Sequence, residues 1–362
     1  MMAKILILAN NDVGLYNFRK ELIEELVKKN EVYISLPYGD LIPKLEELGC
    51  NFIDTPISRR GTNPLTDIKL FLNYLSIIKE IKPDVVLTYT IKPNVFGGMA
   101  SRMSTVPYIA NITGLGTAVE NGGILQSITL FLYKISLKKA NCVFFQNKEN
   151  RDFITGKIKI SNHRLIPGSG VNLEQYSLMD YPSDEVVNFL FIARVMKEKG
   201  IDQYLEAAEY IKGKYSNTEF HILGFCEGDY EDSLKELHDI GIIRYHGMQS
   251  DVREFYKFSH CTIHPTYYPE GMSNVLLESA ACGRPIITTN RSGCREIVDD
   301  GVNGYIVEQK NSKDLIKKIE SFIKLDYNSK KKMGLEGQKK IEREFDRKIV
   351  LKAYINKINE IL

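Results

Sequence analysis

Several features that would assign this 362-residue sequence to a familiar class are absent from it. The six cysteines lie far apart with no Cys-x-x-Cys pair, which excludes a disulfide-built scaffold and the usual zinc-binding spacings. Lysine and arginine total 48 against 46 acidic residues, and this near balance disfavours nucleic acid as a partner. No run reaches the roughly 18 apolar residues that a transmembrane helix needs. We therefore expect a globular protein of a reducing, cytoplasmic compartment.

The composition and the length indicate two packed α/β domains. Hydrophobic residues make up 43% of the chain and charged residues 26%, and 362 residues exceed one ordinary core. Short apolar runs alternate with stretches of helical periodicity, a pattern typical of a doubly wound parallel sheet. The pattern restarts near residue 187 after a segment rich in turn-forming residues. The sequence predicts two Rossmann-like domains that face each other across a cleft, where ligands bind at the carboxyl ends of the strands.

The domain boundary is predicted between residues 175 and 185, which gives a first domain over 1–175 and a second over 185–345. The cations are in excess in the first half and the acids in the second, so the first half is the better candidate for an anionic partner. Random scatter of charges explains the asymmetry equally well. The predicted strands are 4–9, 32–36, 84–88, 106–111, 142–146, 187–193, 219–223, 242–245, 261–263, 285–289 and 305–307.

The most informative segment follows the predicted strand at 261–263. Two glutamates bracket a helix start there, and a carboxylate can accept hydrogen bonds from sugar or ribose hydroxyls. The amides at the helix start suit a diphosphate, and a serine at 273 is a favourable cap. Either glutamate alone is more often an ordinary loop or helix residue, but the combination indicates a ligand such as a nucleotide sugar. The candidate residues are Glu270, Gly271, Met272, Ser273, Asn274 and Glu278.

A second candidate cluster lies where the strand at 187–193 leads into the next helix. Arg194 and Lys199 are two cations at this turn, and they can neutralise the charge of a diphosphate leaving group. An ordinary solvated loop is the alternative. In the first half, Gly14 follows the first strand and would allow a ligand to approach the backbone closely.

The sequence resembles the retaining glycosyltransferases of family 4, which have the GT-B fold. The resemblance rests on the Glu-x7-Glu motif from Glu270 to Glu278, on the basic pair Arg194 and Lys199, and on residues 292–305. It implies that Glu278 holds the ribose of UDP, that the basic pair holds the diphosphate, and that Glu270 holds sugar hydroxyls. The family's last helix, here 346–362, is then expected to pack back on the first domain.

Shorter motifs in the first half resemble one bacterial subgroup of this family. These motifs are residues 16–19, 58–64 and 113–116, and the subgroup builds capsule, O-antigen and glycoprotein-glycan repeat units on undecaprenyl diphosphate. Its members transfer N-acetylgalactosamine, galacturonate or similar sugars from UDP donors. A histidine that contacts the donor sugar in many relatives is missing here, so Thr113 is expected to line the sugar site instead.

The resemblance implies a full set of roles and partners. The donor is a UDP-sugar and the acceptor a polyprenyl-diphosphate-linked saccharide bound by the first domain. The Asp-x-Asp pattern of metal-dependent sugar transferases is absent, so neither a metal nor a cofactor is expected. The implied catalytic residues are Arg194, Lys199 and Glu270, and the implied acceptor-binding residues are Tyr16, Arg19, Arg59 and Arg60.

Two further questions stay open at the level of sequence. Residues 125–139 form an apolar stretch with a basic end, which fits either a core-facing helix or one that rests on an anionic membrane surface. The latter would make the protein peripheral on the inner face of the cell membrane. A UDP-sugar epimerase of the same fold and a non-catalytic nucleotide-sugar-binding protein are the alternative functions.

Overall fold

The structure is a computed structural model that describes residues 2–58, 61, 63–120 and 122–362, except for the side chains of residues 117 and 118. It divides the chain into two compact units. The first comprises Met1–Ser169 together with Lys348–Leu362, and the second comprises Gly170–Arg347. The division therefore falls a few residues before the predicted boundary.

The first unit is built on a seven-stranded parallel sheet with the order β3-β2-β1-β4-β5-β6-β7. Its strands are β1 (Ala3–Leu8), β2 (Asn30–Leu36), β3 (Cys50–Asp54), β4 (Val85–Tyr89), β5 (Tyr108–Ile112), β6 (Cys142–Phe145) and β7 (His163–Leu165). The order reverses between β1 and β4. Such a switch point leaves a crevice at the carboxyl ends of the strands, where doubly wound sheets bind ligands.

Helices cover both faces of this sheet. They are α1 (Asp12–Val27), α2 (Ile42–Glu47), α3 (Pro64–Ile81), α4 (Gly98–Met103), α5 (Thr117–Glu120), α6 (Gly123–Leu137) and α7 (Lys148–Lys157), with a π-helical turn at Pro93–Gly97 before α4. Since connections between parallel strands are right-handed, α3 and α6 lie on the same face. Both pack beside α4.

The second unit repeats the architecture with six parallel strands in the order β10-β9-β8-β11-β12-β13. The strands are β8 (Val187–Ile192), β9 (Thr218–Leu223), β10 (Arg244–Tyr245), β11 (Cys261–His264), β12 (Ile286–Thr289) and β13 (Gly304–Val307). The helices are α8 (Ile201–Lys214), α9 (Glu231–Asp239), α10 (Arg253–Phe258), α11 (Asn274–Ala281), α12 (Ser312–Ile323) and α13 (Tyr327–Glu344). The switch point of this sheet lies between β8 and β11.

The last helix, α14 (Arg347–Asn359), joins the first unit. Its buried residues Val350, Tyr354 and Ile358 belong to the same hydrophobic cluster as Ile5 of β1 and Leu22 of α1. The end of the chain is thereby part of the core of the first unit. No helix in the described part of the chain is both long and apolar enough to cross a membrane.

Candidate active site

The candidate site in the second unit is formed by two loops that leave neighbouring strands. In the central pair of strands, Cys261 of β11 lies opposite Phe189 of β8. The loop after β8 carries Arg194 and Lys199, and the loop after β11 carries Glu270. Both loops therefore leave the sheet at its switch point, where this class of fold binds ligands.

A glycine between the two loops lets their backbones touch. Gly200 has a φ of +79°, and a Cβ atom there would lie 2.2 Å from the carbonyl oxygen of Pro265. Only glycine tolerates both conditions. The amide of Tyr267 donates a hydrogen bond of 2.9 Å to the carbonyl of Glu198, which fixes one loop to the other. The basic turn is thus held against the glutamate loop by backbone contacts.

Each predicted cation forms an ion pair in the structure. Lys199 Nζ donates to the Glu270 carboxylate, with only 13% and 11% of the two side chains exposed. Arg194 Nη1 donates to Glu227 Oε2 at 2.5 Å, and both of these side chains are 27% exposed. The Tyr268 ring lies near both cations, 5.0 Å from Lys199 Nζ and 5.4 Å from Arg194 Cζ. The structure therefore brings Arg194, Lys199 and Glu270 into one cluster.

Glu270 is held in its ionised form. Burial alone would raise the pKa of its carboxyl group, but the charge of Lys199 and the nearby His264 outweigh burial and hold the pKa well below its usual range. His264 Nε2 lies 3.8 Å from Glu270 Oε1, and burial lowers the pKa of this histidine. An ionised carboxylate is an acceptor only, so Glu270 is suited to hydroxyl donors such as those of a sugar.

The start of α11 differs in part from the prediction. Ser273 occupies the N-cap position, but its side chain makes no capping hydrogen bond. Its amide donates to the carbonyl of Gly293 at 2.8 Å, so this N–H is not available to a phosphate here. The next residue, Asn274, has a buried side-chain oxygen without a hydrogen-bond partner. The amides of the first turn of α11 lack carbonyl partners within the helix, which keeps this terminus attractive to an anion.

Glu278 has a different environment from Glu270. It lies in α11, is partly buried, and has Tyr176, Tyr256 and Arg347 near it. Burial raises the pKa of its carboxyl group to about 7, although these three neighbours act to lower it. This glutamate therefore changes its charge near neutral pH.

The raised pKa predicts a pH-dependent effect of the substitution Glu278→Gln. Since the folded protein binds this proton more tightly than the unfolded chain, the wild type loses stability as pH rises from about 4.5 through 7. The variant should be more stable than the wild type at pH 8, by about 3 kcal/mol, and equal to it near pH 4. Thermal unfolding across this range, with exposed Glu209→Gln as the control, tests the prediction. A wild type as stable as the variant at pH 8 would contradict it.

The structure also brings together a set of metal-donor atoms that sequence spacing did not indicate. One ligand atom each of His264, Glu270 and Cys294 lie within 4.8 Å of one another. The ammonium of Lys199 already contacts the Glu270 carboxylate and would compete with a cation for it. Burial also raises the pKa of the Cys294 thiol well above its usual value, which keeps it protonated. The expectation that no metal is needed stays a prediction.

The residues predicted in the first half lie on α1 and after β5. Gly14 donates its amide to Asn11 Oδ1 at 2.6 Å, as part of a helix cap, so this amide is not available to a ligand. Tyr16 is partly buried beneath the ammonium groups of Lys20 and Lys44. Arg19 is buried, and Thr113, which directly follows β5, is partly buried. The predictions for Arg59 and Arg60 lie outside the described residues.

Sequence reasoning missed several residues of the candidate site. Glu227, the partner of Arg194, lies beyond β9 in the segment Gly224–Gly228. Its position between two glycines directly after a strand is the sequence feature that could have identified it as a site residue. Tyr268 and His264 flank the Glu270 loop, and the sequence analysis assigned a role to neither; His264 lies one residue beyond the predicted strand 261–263. Their positions follow from the order β9-β8-β11, which spacing alone does not give.

Comparison with known proteins decides the family. Residues 182–340 match the model of glycosyl transferases group 1, and residues 4–147 match the glycosyl transferase 4-like model. The chain is a family 4 glycosyltransferase. The two matches lie in different units of the structure, and together they cover most of the chain. The enzyme is accordingly a hexosyltransferase of the GT-B fold, and neither the epimerase nor the non-catalytic alternative is favoured.

Relatives of this glycosyltransferase come from several bacteria. It is 26% identical to the N,N'-diacetylbacillosaminyl-diphospho-undecaprenol α-1,3-N-acetylgalactosaminyltransferase of Campylobacter jejuni, over 98% of both chains. It is also 26% identical to the capsular polysaccharide biosynthesis glycosyltransferase CapM of Staphylococcus aureus, over 94% of this chain and 93% of CapM. The crystal structure of Anabaena HepE in complex with UDP and glucose has a TM-score of 0.80 at 17% identity, covering 99% of this chain and all of HepE. The likeness to HepE confirms the predicted fold.

Proposed function

We propose that this glycosyltransferase moves a hexose-type sugar, N-acetylgalactosamine or galacturonate, from UDP to a polyprenyl-diphosphate-linked saccharide. The observation that supports this function most strongly is the cluster of Arg194, Lys199 and Glu270 at the switch point of the second sheet. The Campylobacter relative, which aligns end to end with this chain, acts on an undecaprenyl-diphosphate-linked sugar. The staphylococcal relative serves capsule synthesis, which supports a role in building surface polysaccharide.

The phosphates and hydroxyls of a nucleotide-sugar donor are complementary to the cations and carboxylates of the second unit. Arg194 and Lys199 lie near the start of α11, so a diphosphate would meet two cations and a helix N-terminus together. Glu270, ionised throughout the neutral range, would accept hydrogen bonds from sugar hydroxyls, and Glu278 would hold the ribose. UDP as the nucleotide is supported by the HepE complex.

The proposed reaction retains the configuration of the sugar. The bond between the anomeric carbon and the diphosphate oxygen breaks, and the acceptor hydroxyl bonds to that carbon on the same face. The hydroxyl proton passes to the departing phosphate oxygen, so no enzyme nucleophile is required. Arg194 and Lys199 stabilise the negative charge that develops on the leaving group.

The experiment that tests this function is a transfer assay with UDP-sugars and a short-chain polyprenyl-diphosphate saccharide. We expect an α-linked product with UDP-N-acetylgalactosamine or UDP-galacturonate, and no product from the donor alone. EDTA should leave the rate unchanged, since cations of the protein take the place of a metal. An epimerised donor without transfer would contradict the proposal, and loss of activity in EDTA would contradict its metal-free mechanism.

We also propose that the first unit rests on an anionic membrane surface through exposed apolar side chains. Those of α3 and α6 form an apolar face on one side of the sheet, comprising Leu65, Ile68, Leu72, Ile124, Leu125, Ile128 and Phe131. Ile124 is 81% exposed and Leu65 is 70% exposed. The exposed lysines Lys69 and Lys134 lie on the same two helices, and their charge is complementary to anionic lipid.

A flotation experiment tests the membrane contact. Wild-type protein should float with vesicles that contain anionic phospholipid, and the double variant Ile128→Ser/Phe131→Ser should float at least fivefold less. The variant Tyr210→Ser removes an equally exposed aromatic side chain from the second unit and should behave as wild type. Equal flotation of all three proteins, or none by the wild type, would exclude this surface.

A further inference from the structure

One aromatic ring of the candidate active site lies close to both of its cations. The ring of Tyr268, in the loop after β11, has its centre 5.0 Å from Lys199 Nζ and 5.4 Å from Arg194 Cζ. Both distances are within the roughly 6 Å over which the face of an aromatic ring attracts a cation. The side chain is partly buried, so water screens this attraction only in part.

Neither core packing nor the hydroxyl group explains the position of this ring. Tyr268 belongs to none of the hydrophobic clusters among the described residues, whereas Tyr245 and Tyr305 of the same unit pack against the core. In the described part of the chain its hydroxyl makes no hydrogen bond. The contact with two cations is thus what distinguishes this side chain.

Main-chain contacts fix Tyr268 to the turn that carries Lys199. The amide of Tyr268 donates to Thr266 Oγ1 at 3.1 Å, and the Thr266 hydroxyl donates to the carbonyl of Glu198 at 3.3 Å. Pro269 follows, and a proline restricts the residue before it to extended conformations. These constraints act on the backbone, so the ring can be replaced without displacing the loop.

The ring can hold the cations in a way that the carboxylates of the site cannot. In the structure Lys199 pairs with Glu270 and Arg194 with Glu227. A diphosphate competes with these carboxylates, because both are anions that accept hydrogen bonds from the same N–H groups. An aromatic ring attracts cations through its face, so a phosphate does not take its place. Cations that turn from carboxylate to phosphate would therefore keep their contact with the ring throughout.

We propose that Tyr268 is a positioning residue that holds Arg194 and Lys199 together at the place where the diphosphate of the donor binds. The ring attracts both cations and thereby offsets the repulsion between their like charges. It also restricts two flexible side chains before the ligand arrives, so less conformational entropy is lost on binding. This role rests on the proposed function, since it takes the ligand to be a nucleotide diphosphate.

A graded series of ring substitutions tests this role. Phenylalanine and its mono-, di- and trifluorinated forms at position 268 keep the shape of the ring, while each fluorine withdraws electron density from its face. We expect Tyr268→Phe to bind UDP within about twofold of the wild type, and the Kd to rise stepwise along the series, by about tenfold for the trifluorinated ring. Titration calorimetry with UDP measures the Kd.

The control is the same series at Tyr305 of β13. The centre of its ring also lies 5.0 Å from a lysine nitrogen, Lys318 Nζ, but neither residue belongs to the candidate site. Fluorination of this ring should leave the Kd for UDP unchanged. An equal rise in Kd along both series would show a general effect of fluorine, and a constant Kd along the series at position 268 would show that the ring does not hold the cations. Either result would overturn the proposal.

Turnover distinguishes positioning from a structural role. Tyr268→Leu keeps an apolar side chain but removes the ring. We expect it to weaken UDP binding and to lower kcat at saturating donor, with the melting temperature unchanged, whereas Tyr268→Phe should retain both properties. Equal activity of the two variants, or a loss in Tyr268→Leu that is accompanied by a lower melting temperature, would assign Tyr268 a structural role or none.

The calorimetric measurement needs neither an acceptor nor sugar transfer, so it separates this proposal from the proposed function. A wild type that binds UDP no more tightly than Tyr268→Leu and the trifluorinated variant would overturn the role of Tyr268 alone. A wild type that does not bind UDP would overturn both.

Discussion

Arg194→Ala is expected to reduce kcat by roughly 30- to 1,000-fold with saturating donor and acceptor, while the protein stays folded. The guanidinium is partly exposed and its ion pair with Glu227 lies at the end of β8, outside the hydrophobic core. Its loss therefore costs little stability. A cation at a leaving diphosphate contributes about 2–4 kcal/mol to the transition state, which corresponds to this change in rate.

The control for this prediction is another arginine of the second unit. Arg244 is half exposed and pairs with Glu219, so Arg244→Ala removes an ion pair without touching the candidate site. It should retain normal turnover. Single-turnover kinetics and thermal unfolding, measured for both variants and the wild type, compare their transfer rates and stabilities. A near-normal kcat in Arg194→Ala would show that this residue does not assist the departure of the diphosphate.

Glu270→Gln is expected to lower both stability and activity. The Lys199–Glu270 pair is mostly buried, and removing one partner leaves the ammonium of Lys199 without its counter-ion, at a cost of about 3–5 kcal/mol. Because the pKa of Glu270 is lowered, the stability that the pair contributes is present above about pH 4.5 and is lost as pH falls below it. Chemical denaturation at pH 7 measures the effect.

A double variant separates stability from catalysis at this pair. Lys199→Met/Glu270→Gln leaves no unpaired charge, so it should regain most of the stability lost in Glu270→Gln. Its transfer activity should stay low, because the sugar hydroxyls and the diphosphate have both lost a partner. If the double variant regains activity together with stability, the pair is structural and the proposed donor contacts are wrong.

The sequence predicted the central strands well because these strands carry a strong apolar pattern. β1, β4, β8 and β11 are almost wholly buried, and each was predicted within a residue or two of its observed bounds. The outer strands β3 and β7 were missed. The three residues of β7 are all exposed, and β3 alternates only weakly, so neither edge strand contains a hydrophobic run that could identify it.

The helices that were missed have a similar explanation. α2, α7 and α9 are short, and α9 buries only Leu234 and Leu237 among polar residues. A stretch of nine mostly polar residues with two buried apolar side chains is too short for sequence analysis to distinguish it from a loop. The long helices α1, α3 and α6, with a fuller buried face, were predicted over 15–29, 67–82 and 125–139, within three residues of their observed bounds.

The candidate site was predicted in its residues but not in its interactions. That the loops carrying Arg194 and Glu270 lie side by side follows from two strands at one switch point, which the restart of the pattern already indicated. That Lys199 pairs with Glu270 and Arg194 with Glu227 depends on loop geometry, which spacing does not determine. The opposite pKa changes of Glu270 and Glu278 arise from their different neighbours, and only the folded chain specifies those.

The central claim is that the second unit holds a nucleotide diphosphate sugar with Arg194, Lys199 and the first turn of α11. Its most direct test is a crystal structure of the protein soaked with UDP-N-acetylgalactosamine. We predict diphosphate oxygens within hydrogen-bond distance of both cations and of an amide at the start of α11, with the ribose hydroxyls on Glu278. A nucleotide bound elsewhere, with the ion pairs of Arg194 and Lys199 undisturbed, would contradict the account.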